Sequence, residues 1–359
     1  AMPSVAVGQT VTGTGRLFAP SELRNPGESN GRIRALAQEY ELSGYILPGW
    51  EATGESRFSI RETIRRIREA WMRHLDTVFG EHAPLFQAIL LGSRENLDDE
   101  VVNAMRLTGI VHLLTVSGMH LTLIALALEK LVSRLPFGRW PRFAIQTVGL
   151  LFYTMLTGAA AGTVRALVMA TLHGLARCRG RRYEPLTALA FAAMLMSFIR
   201  PVWPLDASFQ FSFFVLLGIL LLSGTISARF SRRCAWARRH PRAAEALTVS
   251  VSAQAASVPI QLLFYGYIPL LAVPVNVVAG LLMPIVMFGG IACAMIGGFL
   301  PTVGRFFGGI IGEGVDFVGH LLLAVAGWEI NVFRLPAPYV WAIPVTIAAM
   351  MLFSRQIRF

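Results

Sequence analysis

From about residue 110 to the C-terminus, apolar runs of helix length recur, separated by short polar connections rich in arginine. A hydrocarbon core about 30 Å thick takes roughly 17–25 helical residues to cross. The pattern predicts spans near 110–130, 143–157, 162–176, 185–199, 207–226 and 244–264. Beyond residue 265, Pro269, Pro274 and Pro284 interrupt the apolar run, and a broken or re-entrant helix pair is expected there. Residues 306–330 read as amphipathic, with Glu313, Asp316, His320 and Glu329 among apolar neighbours, and a last span is predicted near 337–353. The expected fold class is an all-α polytopic membrane protein, a helical bundle with broken or re-entrant helices.

Upstream the pattern changes. Residues 1–55 alternate apolar positions (Val5, Val7, Val11) with glycines and polar turns, which predicts a β-rich segment too short for a sizeable core. In residues 56–83, Ile60, Ile64, Ile67, Trp71, Leu75 and Val78 fall on one helical face. Arg61, Arg65, Arg66, Arg68 and Arg73 occupy the remaining surface, and Ser59 with Glu62 forms a plausible capping box. A basic helix with Trp and Ile on its apolar face is expected to lie in the membrane interface. It serves at least as an anchor, and its arginines are candidates for collecting an anionic polymer. Residues 85–100 are too short to cross and are expected to form a surface or re-entrant hairpin.

Composition agrees with a membrane protein: 54% hydrophobic, 15% charged, and a mean hydropathy of +0.56. Charge then orients the spans. Lys130, Arg134, Arg139 and Arg142, then Arg177, Arg179, Arg181 and Arg182, then Arg229, Arg232, Arg233, Arg238, Arg239 and Arg242 all fall on one side. The opposite connections, "GAAAG", "RPVWPLD" and "YGYI", hold a single arginine, Arg200. Basic connections mark the cytoplasmic side. Residue 109 and everything before it are therefore expected outside the cytoplasm, and a C-terminus carrying Arg355 and Arg358 is expected inside.

The sequence excludes several chemistries. Its one lysine, Lys130, is followed by Leu131, so no Walker A sequence exists. Neither a Gly-x-Ser-x-Gly elbow nor a His-Glu-x-x-His helix is present, and Cys178, Cys234 and Cys293 are scattered. No metal, cofactor or catalytic centre is expected. What remains is a set of polar positions at membrane depth: His112, Ser117, Gly118, His120, Thr122, Arg165, Asp206, Gln210, Ser212, Gln254, Gln261 and Asn276. Each is a candidate for pore lining or for helix packing. Arg165 is near enough to its helix end to snorkel, Asp206 can cap a helix, and Gln254 and Gln261 can bond between helices. On one helix His112 and His120 would stand about 80° apart, which disfavours a shared metal. Two rivals to a channel follow from the same residues: a Ser117–His120 intramembrane hydrolase, and a small-molecule transporter with broken helices.

Five segments carry a family resemblance. "TGIVHLLTVSGMHLTL" (108–123), "ILLGSRENLDDEVVNAM" (89–105), "LTGAAAGTVRALVM" (156–169), "LDASFQFSF" (205–213) and "VPVNVVAGLLMPIV" (273–286) resemble, in order and spacing, the competence module of ComEC-type proteins. The resemblance implies an inner-membrane channel that conducts one strand of transforming DNA into the cytoplasm. It implies that residues 1–55 are part of an oligonucleotide-binding-like fold, and that 84–359 form the polytopic competence module. No His-x-His-x-Asp-His sequence is present, so the nuclease domain of that family is not expected in these residues. A passive conduit would need a cytoplasmic DNA motor or strand-binding protein, and a separate extracytoplasmic nuclease or DNA receptor as partner. An oligomer in membrane lipid is compatible with the pattern. A strand spanning 30 Å brings roughly nine phosphates, so its path needs polar walls without a deep trap.

Overall fold

The computed structural model describes residues 10–19, 43–46, 51–53, 59–328 and 332–334. Near the N-terminus, β1 (Thr10–Thr12) pairs antiparallel with β4 (Glu51–Thr53), and β2 (Gly15–Phe18) with β3 (Ser43–Ile46). The helices follow: α1 (Ile60–Phe79), α2 (Ala83–Leu91), α3 (Asp99–Leu107), α4 (Gly118–Val132), α5 (Arg139–Leu156) and α6 (Ala161–Cys178). Then come α7 (Pro185–Ile199), α8 (Ala207–Arg233), the short α9 (Ala235–Arg239), α10 (Pro241–Tyr265), α11 (Ala272–Phe299) and α12 (Pro301–Ala326). The chain is an all-α polytopic membrane protein with a β-rich N-terminal segment. Helices α8, α10, α11 and α12 are long and apolar enough to cross a bilayer.

The expected spans from 143 to 264 coincide with α5, α6, α7, α8 and α10. The span expected over 110–130 does not form one helix. Residues 111–113 make a 3-10 turn, the chain extends through Ser117, and α4 starts only at Gly118. His112 and His120 therefore lie on different elements, and their angular separation on a common helix has no meaning.

The break predicted beyond residue 265 is real, and of the three prolines only Pro269 lies in it. Pro274 falls in the first turn of α11, where its missing N–H costs no hydrogen bond, and α11 runs on through Pro284. Instead, Gly266 turns in the left-handed region (φ 71°), and β5 (Tyr267–Pro269) doubles back along α10. The Gln254 amide donates to the Pro269 carbonyl at 3.3 Å, and the Ser250 hydroxyl donates to the Val273 carbonyl at 3.1 Å. At 1.5 Å per residue, Gln254 and Ser250 lie about 16 and 22 Å along α10 from its end. Helix α11 therefore begins beside the middle of α10. The extended backbone between them pairs antiparallel with β6 (Val332–Arg334), Tyr267 opposite Arg334. Non-helical backbone survives at membrane depth only with such internal partners or beside water.

Of the expected surface or re-entrant hairpin, the burial of residues 86–91 excludes the surface form. Phe86, Gln87 and Ala88 are buried, and α2 forms the centre of a core cluster with Leu75, Val78, Met283, Met287 and Cys293. The helix is too short to cross because protein surrounds it. Helix α1 also departs from a purely interfacial role. Its first half leaves Ile60 64% exposed, but its second half enters a groove between α11 and α12. There Val78 packs on Gly297 and Gly308, the His74 ring contacts the Ala294 carbonyl at 2.7 Å, and Arg305 donates to the Thr77 carbonyl at 3.1 Å. His82, seated against Gly312, bonds Asp316 at 2.8 Å. Residues 306–326 of the expected amphipathic stretch thus belong to α12 and contribute a wall of this groove. The span expected at 337–353, with Glu329, Arg355 and Arg358, lies outside the described residues.

A Cβ at Gly308 would stand 2.8 Å from the Val78 backbone oxygen, whereas Gly309 has nothing within 4 Å. Gly308→Ala is therefore expected to lower the thermal midpoint, at a cost of about 1–3 kcal/mol. Gly309→Ala is expected to leave it unchanged or raised. Thermal unfolding of the two variants in one detergent checks the groove, and equal effects would contradict it.

Candidate functional site

The polar stretch at 112–122 is built around the start of α4. Ser117 is the N-cap, with extended backbone (φ −102°, ψ 175°). Its amide donates to His120 Nδ1 at 3.1 Å, its hydroxyl stands 3.0 Å from the same nitrogen, and the hydroxyl also receives the His120 amide. This is a reciprocal capping box with histidine in the third position. A backbone N–H has only a proton to give, so Nδ1 accepts and Nε2 carries the ring proton. His120 is fully buried, and its Nε2 has no hydrogen-bond partner among the described residues. His112, by contrast, has an exposed side chain on the preceding 3-10 turn.

Gly118 opens the helix because a side chain of the neighbouring α6 occupies the space where its own would be. A Cβ there would stand 2.5 Å from Arg165 Nη2 and 3.6 Å from the Ala166 Cβ. Arg165 reaches across from α6. It donates through Nη1 to the backbone carbonyl of Ser212 on α8, and its guanidinium carbon lies 5.9 Å from the Phe213 ring centroid. It is 9% exposed, so it turns into the bundle instead of snorkelling outward. Gly162, one turn before Arg165, faces the Ser212 hydroxyl and the Gly118 amide; a Cβ there would stand 3.4 and 3.9 Å from them. Three helices therefore meet at Gly118, Gly162, Arg165 and Ser212.

The other candidates divide. Asp206 caps α8, accepting from the amides of Ser208 and Phe209 at 2.7 and 3.2 Å, and Gln210 closes the turn before it through the Pro204 carbonyl at 3.0 Å. Thr122 is exposed and bonds the Gly118 carbonyl within its own helix. Gln254 and Gln261 do not bond between helices. They bond each other at 3.3 Å along α10, and Gln254 also holds the re-entrant strand. Asn276 bonds the Ala272 carbonyl one turn back, at 2.8 Å.

Residue-type reasoning missed the glycines and one tyrosine that tie these pieces together. Gly92 packs on Val116 and the Thr157 carbonyl, Tyr153 donates to the Leu90 carbonyl at 3.1 Å, and Arg94 donates to the Leu114 carbonyl at 3.3 Å. Gly109, in the left-handed region at φ 80°, sits against Pro269 and Ala272. Each glycine interrupts an apolar run where a side chain costs little in isolation, which was the available signal. Through these contacts, and through Val275 and Ala279 packed against the buried cluster of Met105, Ile110, Leu113 and Leu114, the segments 89–105, 108–123, 156–169, 205–213 and 273–286 form one connected junction. A family model described as Competence protein matches residues 89–358, a range containing all five.

The chain belongs to the competence protein family.

Among the relatives of this competence protein, ComE operon protein 3 of Bacillus subtilis (strain 168) is 25% identical over 360 residues, covering 96% of this chain and 44% of the relative. An uncharacterized protein of Aquifex aeolicus (strain VF5) is 31% identical over 276 residues, covering 76% and 61%. Competence protein ComA of Neisseria gonorrhoeae is 29% identical over 138 residues, covering 36% and 20%. The chain spans less than two thirds of the length of these relatives. No solved structure matches.

The basic face of the competence protein's α1 is partly neutralised. Ser59 makes no side-chain cap, so the expected capping box with Glu62 does not form. Glu62 instead accepts from Arg65 at 2.6 and 2.8 Å and from Arg66 at 2.8 Å. The Arg65 hydrogen bonds, then those of Arg66, hold its carboxyl down to about 2 from an ordinary 4.5. Because the folded value is depressed, the cluster contributes fully above pH 4.5 and is lost as pH falls toward 2. Arg68 lies toward Gly158, at the end of α5. Glu62→Gln is expected to free Arg66, whereas Arg65 keeps its ion pair with Glu69. Single-stranded oligonucleotide should then bind more tightly at low salt, with a salt slope steeper by roughly one. An unchanged slope in titrations of the full-length protein would remove Arg66 from the anion-collecting set.

Proposed function

We propose that this competence protein forms an inner-membrane conduit through which single-stranded DNA enters the cytoplasm during natural transformation. Membership of the competence family supports a role in DNA uptake. The observation that carries the conduit reading is the junction itself, where five segments bring polar groups and glycines together inside an apolar bundle. Orientation follows from charge. The starts of α4, α6 and α8 meet at Gly118, Arg165 and Ser212, and Tyr265 at the end of α10 stacks on Phe211 at 5.8 Å. The arginine-bearing ends gather opposite, where Arg177 pairs with Glu129 and the Cys178 thiol bonds the Arg139 carbonyl at 3.4 Å. The positive-inside bias puts that end in the cytoplasm and the junction toward the outside, together with α1. The N-terminal segment is then extracytoplasmic, and the C-terminus is cytoplasmic.

The conduit is passive and not an enzyme. A cytoplasmic motor or strand-binding protein draws the strand, with the basic connections as its docking surface. A separate extracytoplasmic nuclease or receptor delivers it. The approach of Ser117 Oγ to His120 Nδ1 at 3.0 Å is the one observation that favours a Ser–His hydrolase. The same nitrogen accepts the Ser117 amide proton, and no third group among the described residues orients the ring, which supports a helix cap instead. A fluorophosphonate probe is expected to leave Ser117 unlabelled. Labelled transforming DNA should stay nuclease-accessible in cells lacking the protein. Protection at the normal rate would refute the conduit.

A further inference from the structure

Arg165 carries a charge that no described residue answers. It is 9% exposed, its Nε has no hydrogen-bond partner, and no carboxylate among the described residues pairs with it. Its contacts are a backbone carbonyl, a phenyl ring and a glycine. These recover part of the cost of removing a guanidinium from water but leave its charge unopposed. Ionisable groups at membrane depth persist where a transported species or a buried partner meets them.

Two further features have the same sign. His120 presents a buried Nε2–H without an acceptor, because the cap at Ser117 fixes the other nitrogen as the acceptor. The guanidinium also rests on Gly118, the first residue of the 15-residue α4, where the helix dipole is positive. The Arg165 guanidinium and the α4 terminus meet at Gly118, and no carboxylate among the described residues pairs with the arginine.

We propose that this junction is a phosphate-binding station that holds one phosphodiester of the passing strand. The assignment rests on the conduit reading above. In the empty state the Ser212 carbonyl occupies Nη1, and a phosphate oxygen, being charged, displaces it as the stronger acceptor. A single station, unlike a ladder of arginines, lets the strand leave again. The planar guanidinium offers several donors in one plane, which a lysine cannot reproduce. Gly118 is a positioning residue, since any side chain there would push the guanidinium away.

The test uses the full-length protein in detergent, as wild type, Arg165→Met and Arg165→Lys. Thermal protection is measured with a phosphodiester oligonucleotide, with a methylphosphonate oligonucleotide of the same sequence, and with inorganic phosphate alone. Wild type is expected to prefer the charged backbone, and Arg165→Met to lose on the order of tenfold of that preference while the arginines of α1 keep the rest. Arg165→Lys is expected to lose less. Equal binding of both backbones by wild type overturns the proposal, as does an undiminished preference in Arg165→Met. Protection by inorganic phosphate but not by the oligonucleotide overturns the strand assignment. If Arg165→Met fails to fold, the wild-type preference and its reduction in Arg165→Lys decide. Nuclease protection in cells separates the two levels, because uptake that does not depend on the protein at all sinks the conduit reading itself.

Discussion

The structure depends on one buried contact, the Arg165 guanidinium seated between Gly118 and the Ser212 carbonyl. It costs the bundle the desolvation of a charge, and it is tolerated only because three helices close around it. Gly118 and Gly162 permit that closure by leaving room at the crossing. The capping box of Ser117 and His120 fixes where α4 begins, and so fixes where Gly118 stands. Movement of any one of these residues would move the guanidinium.

The same logic extends outward. Gly109 lets the turn before α4 rest on Pro269 and Ala272, which ties the junction to the re-entrant strand. That strand is held in turn by Gln254 and by β6, so the non-helical backbone within the bundle is satisfied from two sides. Gly92 and Tyr153 tie α2 to the end of α5. Helix α2 then carries α1 into the glycine groove of α11 and α12. A soluble-looking amphipathic helix is thereby fastened to the membrane domain by protein contacts, while its first half remains available to lipid or polymer.

Much of this was legible in the sequence. Hydropathy placed α5, α6, α7, α8 and α10 closely, because a run of apolar residues flanked by arginines has few other solutions. The five segments that carry the resemblance contribute the residues that meet at the junction. What periodicity could not show was set by tertiary contacts. The 110–117 stretch is apolar enough for a helix, yet Ser117 and His120 cap one another and start α4 later. The 85–91 helix looked superficial because its length cannot span a bilayer, whereas protein on all sides removes that requirement. Pro284 looked like a break, but a membrane helix carries one where neighbouring groups satisfy the freed backbone. The true break came from Gly266 and the glutamines of α10, whose spacing suggested bonds between helices but which serve their own helix and the strand beside it.

The central claim is that the junction of α4, α6 and α8 lies on the path of the strand. A Cβ on Gly162 would stand 3.4 Å from the Ser212 hydroxyl, so the two side chains would touch across the crossing of α6 and α8. In a full-length protein whose native cysteines are replaced, Gly162→Cys with Ser212→Cys should cross-link in membranes under oxidation. Uptake of labelled DNA should stop with the cross-link and return on reduction. Failure to cross-link would contradict the geometry, and full uptake through the cross-linked protein would contradict the path.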